Sequence, residues 1–239
     1  MQIQERAGQW WLGLCILLGM TALGYQLSDA AIRFKQFERS VTVKGLSERE
    51  YPADIVIWPI QFTVASNDLG ELYTAIESGT GKINAFLAQQ GIEAAEITVA
   101  PPVITDKSAQ TYASDARPEF RYSAMQNVTV YSANIAGVRK LMSRLSELGK
   151  QGIVFTGDNY QAQTQYLYTR LNEVKPAMVE EATRQAREVA EKFAMDSQST
   201  LGKIRQASQG QFSIEARDQN NPHIMKVRVV STVEYYLSD

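Results

Sequence analysis

The sequence predicts an α+β fold with antiparallel-rich sheets and packed helices in the order ββαββαβαββ, preceded by one N-terminal transmembrane helix. Three observations support this prediction. Residues 7–28 contain no charged side chain. Stretches that alternate apolar and polar residues, typical of half-buried strands, recur along the rest of the chain. Between them lie three segments with apolar residues every three or four positions, which is typical of amphipathic helices.

The N-terminal segment predicts a membrane anchor spanning residues 7–28, with residues 29–39 as a connector. About 20 largely apolar residues cross a bilayer as a helix. Trp10, Trp11 and Tyr25 lie at its two ends, where aromatic residues meet the membrane surface. A cleaved signal peptide is the main alternative, because Ala22-Leu23-Gly24 offers a small-x-small cleavage site. A helix buried in the protein core is the other alternative.

The first half of the body, residues 40–150, predicts strands around two helices. Asp68 followed by Glu71 predicts an N-terminal cap, and Gly91 predicts the end of that first helix. Its predicted buried residues are Leu69, Leu72, Ile76, Ile83 and Leu87. The other predicted elements are strands at 41–43, 55–58, 61–64, 97–105 and 120–131, a turn at 48–52, a loop at 106–117, and a helix at 135–148 closed by Gly149. Pro101-Pro102 predicts an edge or bulge in its strand.

The second half predicts a short strand at 153–155, a strand at 165–171, and then a helix that begins near Pro176. Ala182, Ala186, Ala190 and Ala194 repeat at a spacing of four, so this helix is expected to lie close to the sheet that it covers. Met178, Val189 and Phe193 are assigned to the same face. Ion pairs are expected from Glu180 to Arg184 and from Glu188 to Lys192. Strands at 212–217 and 226–237 complete the chain.

Residues around this long helix carry a resemblance to a known family. They are Leu171-Asn172, Lys175-Pro176, Glu181-Ala182-Thr183, Ala186-Arg187, Ala190, Phe193-Ala194, Asp196-Ser197, Gly202, Ile204-Arg205, Gln209-Gly210 and Phe212-Ser213-Ile214, with Val41–Gly45 and Lys226–Val230 at the two ends. The body, residues 40–239, resembles the SIMPL domain family, especially its bacterial membrane-anchored branch. The resemblance implies an α+β envelope domain that self-assembles. It implies no catalytic residue, because the family has no agreed enzymatic activity.

Localisation rests on two arguments that disagree. Arg6 alone precedes the predicted span, whereas Arg33, Lys35 and Arg39 follow it. The positive-inside rule taken alone therefore favours a cytoplasmic body. The resemblance implies the opposite, a single-pass protein of the bacterial inner membrane with its body in the periplasm. We follow the resemblance.

Composition excludes several kinds of site. The chain of 239 residues has 24 basic and 26 acidic side chains, which argues against a nonspecific nucleic-acid binder. Cys15 and His223 are its only cysteine and histidine. An intramolecular disulfide, a cysteine metal site and any site with two histidines are therefore excluded. A body without cysteine also suits an oxidising compartment.

Single motifs predict no catalytic, cofactor-binding or metal site. Ser78–Lys82 resembles part of a phosphate loop, but isoleucines stand at positions 76 and 83, where the motif needs glycine and a hydroxyl residue. His223 is expected to be a solvated surface group. The remaining candidates are Asp54, Asp158 and Glu181 as a carboxylate cluster, Asn127 in a glycosylation sequon, and Tyr160, Tyr166 and Tyr168 as an aromatic surface. For each of these we favour a structural role.

Three functions remain open. The first is a non-enzymatic, membrane-anchored homo-oligomer that forms a ring or cage, with a link to envelope or oxidative-stress physiology suggested by the resemblance. Its expected partners are the bilayer and further copies of the chain, through the final strand or its sheet neighbour. The second is a periplasmic module that binds a ligand or peptide, and the third is an enzyme of unrecognised type.

Overall fold

A computed structural model describes residues 16–30, 39–109, 119–156 and 163–239. The helices are α1 (16–30), α2 (Leu69–Gln89), α3 (Ile135–Met142), α4 (Ser146–Gly149) and α5 (Leu171–Asp196). The strands are β1 (Ser40–Pro52), β2 (Ile55–Ser66), β3 (Ile97–Val99), β4 (Val103–Asp106), β5 (Tyr122–Ser132), β6 (Val154–Phe155), β7 (Gln165–Leu167), β8 (Thr200–Gln209), β9 (Ser213–Ala216) and β10 (Ile224–Ser238). Short 3₁₀ turns occupy Ala94–Glu96 and Lys107–Ala109. The α+β fold class with antiparallel sheets and packed helices is confirmed.

These elements divide into two compact units. Of the described residues, unit 1 comprises those within Met1–Glu48, Lys175–Phe212 and Arg228–Asp239. Unit 2 comprises the described residues within Arg49–Val174 and Ser213–Val227. Three of the four boundaries fall inside β1, α5 and β10, so each of these elements contributes residues to both units.

Unit 2 is built on a six-stranded antiparallel sheet in the order β3-β5-β2-β6. β4 also pairs with β5, and β7 also pairs with β2. β2 and β5 form its centre in an unbroken register from Val56 opposite Ser132 to Ser66 opposite Tyr122. Alternate residues of both strands point into one apolar core, as the period of two predicts. Its buried members are Val56, Trp58, Ile60, Phe62, Ile83, Phe86, Leu87, Ile92, Val128, Val130, Val138, Leu141, Leu148 and Ile153.

Helix α2 confirms the sequence prediction at both ends. The carboxylate of Asp68 accepts the N–H of Glu71 at 2.9 Å. Gly91 adopts φ +84°, the left-handed conformation that ends many helices. Leu69 is exposed rather than buried, because it lies in the first turn at the rim of the apolar face. Ser78–Lys82 lies inside this helix, which agrees with the rejection of a phosphate loop.

Unit 1 holds most of a second sheet, in the order β1-β10-β8, with β9 also pairing with β10. β10 and β8 are antiparallel, with register shifts between Glu234 and Leu237. The alanine row of α5 is buried, as predicted, and packs against one face of this sheet. A Cβ built on Gly45 would lie 1.8 Å from the carbonyl oxygen of Ala182. The backbones of β1 and α5 are therefore in direct contact at this glycine.

Three element boundaries differ from the prediction. Residues 48–52 are not a turn, since β1 continues to Pro52, where Tyr51 stacks on Tyr168 at 5.2 Å. The predicted helix at 135–148 is two helices, interrupted where the hydroxyl of Ser143 donates to the carbonyl of Lys140 at 2.7 Å. Gly149 lies within α4, and the left-handed glycine is Gly152 at φ +88°.

The start of α5 also differs. The strand ends at Leu167 and the helix begins at Leu171, so Pro176 lies in the second turn and not the first. The carboxylate of Asp54 accepts the N–H of Thr169 at 2.9 Å, which fixes the chain just before the helix. Proline has no N–H, so the carbonyl four residues earlier loses its helical partner.

The outer face of α5 was predicted only in part. Met178 is buried in line with the alanine row, as predicted, whereas Val189 and Phe193 are exposed beside that row. Arg184 pairs with Glu188 at 4.0 Å and Arg187 with Glu191 at 3.2 Å, instead of the predicted pairs.

Three predicted regions extend beyond the described residues. Of the span at 7–28, residues 7–15 lie outside them, and α1 covers 16–30. Within the described ranges, no helix has the length and apolar character to cross a membrane. Residues 31–38 of the connector are not described. The predicted loop at 106–117 is described only through residue 109. Within that part, Asp106 is the last residue of β4 and Lys107–Ala109 form a 3₁₀ turn.

Candidate functional site

The carboxylates considered as a cluster have structural partners. Asp54 accepts both the N–H and the hydroxyl of Thr169, the hydroxyl at 3.0 Å. Glu181, in unit 1, accepts the hydroxyl of Ser47 at 2.8 Å. Asp158 lies outside the described residues. Across the described ranges, no group of three or more His, Cys, Asp or Glu side chains could hold a metal ion.

His223 is not the solvated group that we expected. It is half-buried, and its Nε2 lies 3.0 Å from Nη1 of Arg139. A guanidinium can only donate, so Nε2 accepts and the proton resides on Nδ1. Nδ1 is buried and has no hydrogen-bond partner among the described residues. Burial, followed by the charges of Arg139 and Arg217, lowers the pKa of His223 and favours the neutral ring.

The tyrosines are packing residues where they are described. Tyr166 packs against the core of unit 2, and its ring meets that of His223 edge-on at 6.2 Å. Tyr168 is buried against Tyr51. Tyr160 lies outside the described residues. Asn127 lies in the middle of β5, as predicted, a poor position for a glycosylation acceptor.

The final strand, one of the two expected interfaces, is not a sheet edge. β10 lies between β1 and β8, so both of its edges are paired. Val233 and Tyr235 are each 1% exposed. Neither side chain is free to contact another copy, and lysine at either position would place an unpaired charge in a buried site. β1 and β8, the sheet neighbours, carry the outer edges of this described sheet.

β8 differs from the other long strands in burial. From Lys203 to Gln209 every residue is exposed, whereas a sheet strand ordinarily buries at least one face. The order of the described strands places nothing beyond its outer edge. The local sequence carried a signal of this, since Leu201 and Ile204 are its only large apolar residues and do not alternate.

The two halves of β8 differ in how their edge is protected. Lys203 and Arg205 stand in the first half, beside the two register shifts, and charges and bulges both discourage pairing with another strand. Gln206–Gln209 is uncharged and keeps a regular register with Ser231–Glu234. We call Gln206–Gln209 the open edge. Its outward N–H and C=O groups can form the hydrogen bonds of a further strand.

One family profile matches most of the body of the chain. The sequence profile of SIMPL, described as a protein of unknown function (DUF541), matches residues 41–234. The chain belongs to the SIMPL family. The match begins in β1 and ends in β10, so the SIMPL domain includes residues of both units. No curated protein matches the chain. The resemblance read around α5 is confirmed, and the membrane-anchored branch stays a prediction.

Proposed function

We propose that this SIMPL protein is a non-enzymatic protein of the bacterial envelope that assembles into a homo-oligomer larger than a dimer. Residues 7–28 anchor it in the inner membrane, and the body lies in the periplasm, where it serves envelope or oxidative-stress physiology. The observation that carries the assembly proposal is the open edge of β8, exposed on both faces and without charge.

Strand direction favours a head-to-tail assembly. β8 is antiparallel to β10. β1 is also antiparallel to β10, because the carbonyl of Arg39 accepts the N–H of Leu237 at 2.8 Å while Glu48 pairs with Arg228 at 4.0 Å. β1 and β8 therefore run in the same direction at opposite edges of one sheet. Pairing of β8 with β1 of the next copy is heterologous, and heterologous contacts close into rings when the rotation permits.

The mass of the full-length protein in mild detergent tests the assembly. We expect an oligomer above a dimer for the wild-type chain and a smaller species for the double variant Gln206→Lys, Ser208→Lys. Both side chains are exposed, so far-ultraviolet circular dichroism should show an unchanged fold. Gln185→Lys, on the exposed side of α5, is the control and should leave the mass unchanged. A monomeric wild-type chain at micromolar concentration would contradict the proposal.

Cysteine cross-linking tests the geometry. In a Cys15→Ser background, Gln206→Cys alone would cross-link efficiently only in a two-fold β8-to-β8 pair. Adding a cysteine at exposed Thr42, Lys44 or Leu46 of β1 should give a ladder of covalent multimers if the contact is head-to-tail. Dimers from the single variant and no ladder from any pair would exclude a ring.

Peptides that co-purify with the wild-type chain, and are lost with Gln206→Lys, would instead indicate a peptide-binding module.

Orientation needs its own experiment, because the charge rule and the family resemblance disagree. Alkaline phosphatase fused after Asp239 folds to an active form outside the cytoplasm. We expect activity in intact cells. An inactive but intact fusion would place the body in the cytoplasm, as the positive charges after the span predict.

A further inference from the structure

Arg39 is held in place at one end of unit 1. Its carbonyl accepts the N–H of Leu237, and its guanidinium bonds to the carboxylate of Asp239 and to the hydroxyl of Ser199 at 3.1 Å. The first described residue of the body, the C-terminus and the turn after α5 therefore lie together at one end of unit 1. Any membrane anchor that precedes Arg39 is attached to this end.

The last turn of α5 lies at the same end. The N–H of Ser199 bonds to the carbonyl of Ala194 at 2.8 Å, and the N–H of Gln198 to the carbonyl of Met195 at 3.0 Å. These two bonds form a Schellman cap, which folds the chain back at the helix end. Ser199, the residue that holds Arg39, is thus only a few residues from the exposed side chains of that turn.

Those exposed side chains are apolar. Phe193 is 54% exposed and Met195 is 68% exposed. They leave the helix on either side of the buried Ala194, so a surface that meets the end of α5 contacts both. Val189, one turn before Phe193, is also exposed. Lys192 and Asp196 in the same turns carry opposite charges, and Glu191 pairs with Arg187 at 3.2 Å, so the patch has little net charge.

The distance to the bilayer is limited by the connector. Residues 29–38 separate the predicted span from Arg39. Residues 29 and 30 belong to α1, and the eight residues after them reach about 28 Å when fully extended and about 12 Å as a helix. The end of unit 1 that carries Phe193 and Met195 is therefore held near the membrane surface whenever the anchor is inserted.

We propose that Phe193 and Met195, supported by Val189, form a second membrane contact that dips into the boundary between headgroups and acyl chains. This inference rests on the proposed anchor. Aromatic and flexible apolar side chains favour that boundary, which is about 5–10 Å deep for interfacial contacts. Because the patch has little net charge, the contact forms on neutral as well as anionic lipid. It fixes the end of α5 on the bilayer, which orients unit 1.

Depth-dependent quenching tests this contact on the full-length protein in phosphatidylcholine vesicles. In a Cys15→Ser background, cysteine replaces Phe193, Met195 or Gln185, and each is labelled with an environment-sensitive fluorophore. We expect nitroxide-bearing lipids to quench the labels at 193 and 195 roughly twofold more than the label at 185, given the shallow depth of such contacts. Near-ultraviolet circular dichroism checks that each variant is folded.

The outcomes separate this inference from the proposed function. If the chain floats with vesicles and the labels at 193 and 195 are quenched no more than that at 185, the anchor stands and the second contact is wrong. A blue-shifted label without nitroxide quenching would mean that the patch contacts protein, which also overturns the inference. If the chain does not float with vesicles at all, the proposed anchor itself fails.

Discussion

The two units of this SIMPL domain pack in different ways. In unit 1, α5 meets the sheet through alanines, and Gly45 brings the two backbones into contact. In unit 2, the space between helices and sheet is filled by large side chains such as Trp58, Phe62 and Leu87. The first interface has no room for added atoms, and the second depends on the atoms that fill it. Substitutions that add atoms should therefore destabilise unit 1 most, and substitutions that remove atoms should destabilise unit 2 most.

The largest effect is expected from Gly45→Ala. The new methyl group would meet backbone atoms of Ala182 and Ala186, which cannot move without displacing the helix. We expect a loss of about 4 kcal/mol in the free energy of unfolding, above the usual range for overpacking because the contact is with backbone. Lys44→Ala, on the exposed face of β1, is the control and should change little. Equal denaturant midpoints for the two variants would disprove backbone contact.

Deletion should be most damaging in unit 2. Leu87→Ala removes a fully buried side chain from the core and leaves a cavity, with an expected cost of about 3 kcal/mol. Ala190→Gly, the matched deletion in unit 1, removes one methyl group and should cost about 1 kcal/mol, largely through helix propensity. Chemical denaturation measures both. The contrast between the cores fails if the alanine deletion costs as much as the leucine deletion.

Ala186→Leu and Arg187→Leu form an adjacent pair on α5. Ala186 is fully buried against the sheet, whereas Arg187 is exposed and pairs with Glu191. We expect a loss of about 2 kcal/mol for the first variant and less than about 0.5 kcal/mol for the second. Thermal melting compares them. If both melted at the wild-type temperature, the alanine row would not be tightly packed.

Gln198→Gly should stabilise unit 1. Gln198 adopts φ 55° at the position of the helix cap that normally holds glycine. A residue with a Cβ in this conformation costs about 1–2 kcal/mol, so we expect a gain of about 1 kcal/mol. Gln198→Ala keeps the Cβ and should give no gain. Hydrogen exchange of the last turn of α5 would localise the effect, and equal protection in both variants would contradict it.

Unit 2 should respond to mild acid through His223. The folded state lowers the pKa of His223, so the unfolded chain, with an ordinary value of about 6.5, binds the proton more tightly. The contribution of His223 to the free energy of unfolding is complete above a pH of about 6.5. It is lost as the pH falls through the lowered pKa of His223 in the folded state. His223→Gln should flatten the pH dependence of unit 2 amide exchange in that window. The chain has no other histidine, so an unchanged slope would rule out His223 as the source.

Local patterns in the sequence predicted much of this fold. The cap at Asp68, the left-handed Gly91 and the buried alanine row of α5 all follow from neighbours within a few residues, and the structure confirms each. Family membership could also be read from the residues along α5. Helix periodicity and capping are short-range effects, so a single sequence is enough to reveal them.

Only the tertiary structure decided which strand is an edge and what each glycine or polar side chain meets. β10 is apolar enough to be either an edge or an interior strand, and its place between β1 and β8 depends on pairings with residues far away in sequence. The same holds for Gly45 against Ala182 and for Arg139 against His223. These contacts arise from the order in which strands pair and the distance at which a helix packs. Neither quantity is encoded by the periodicity of one segment.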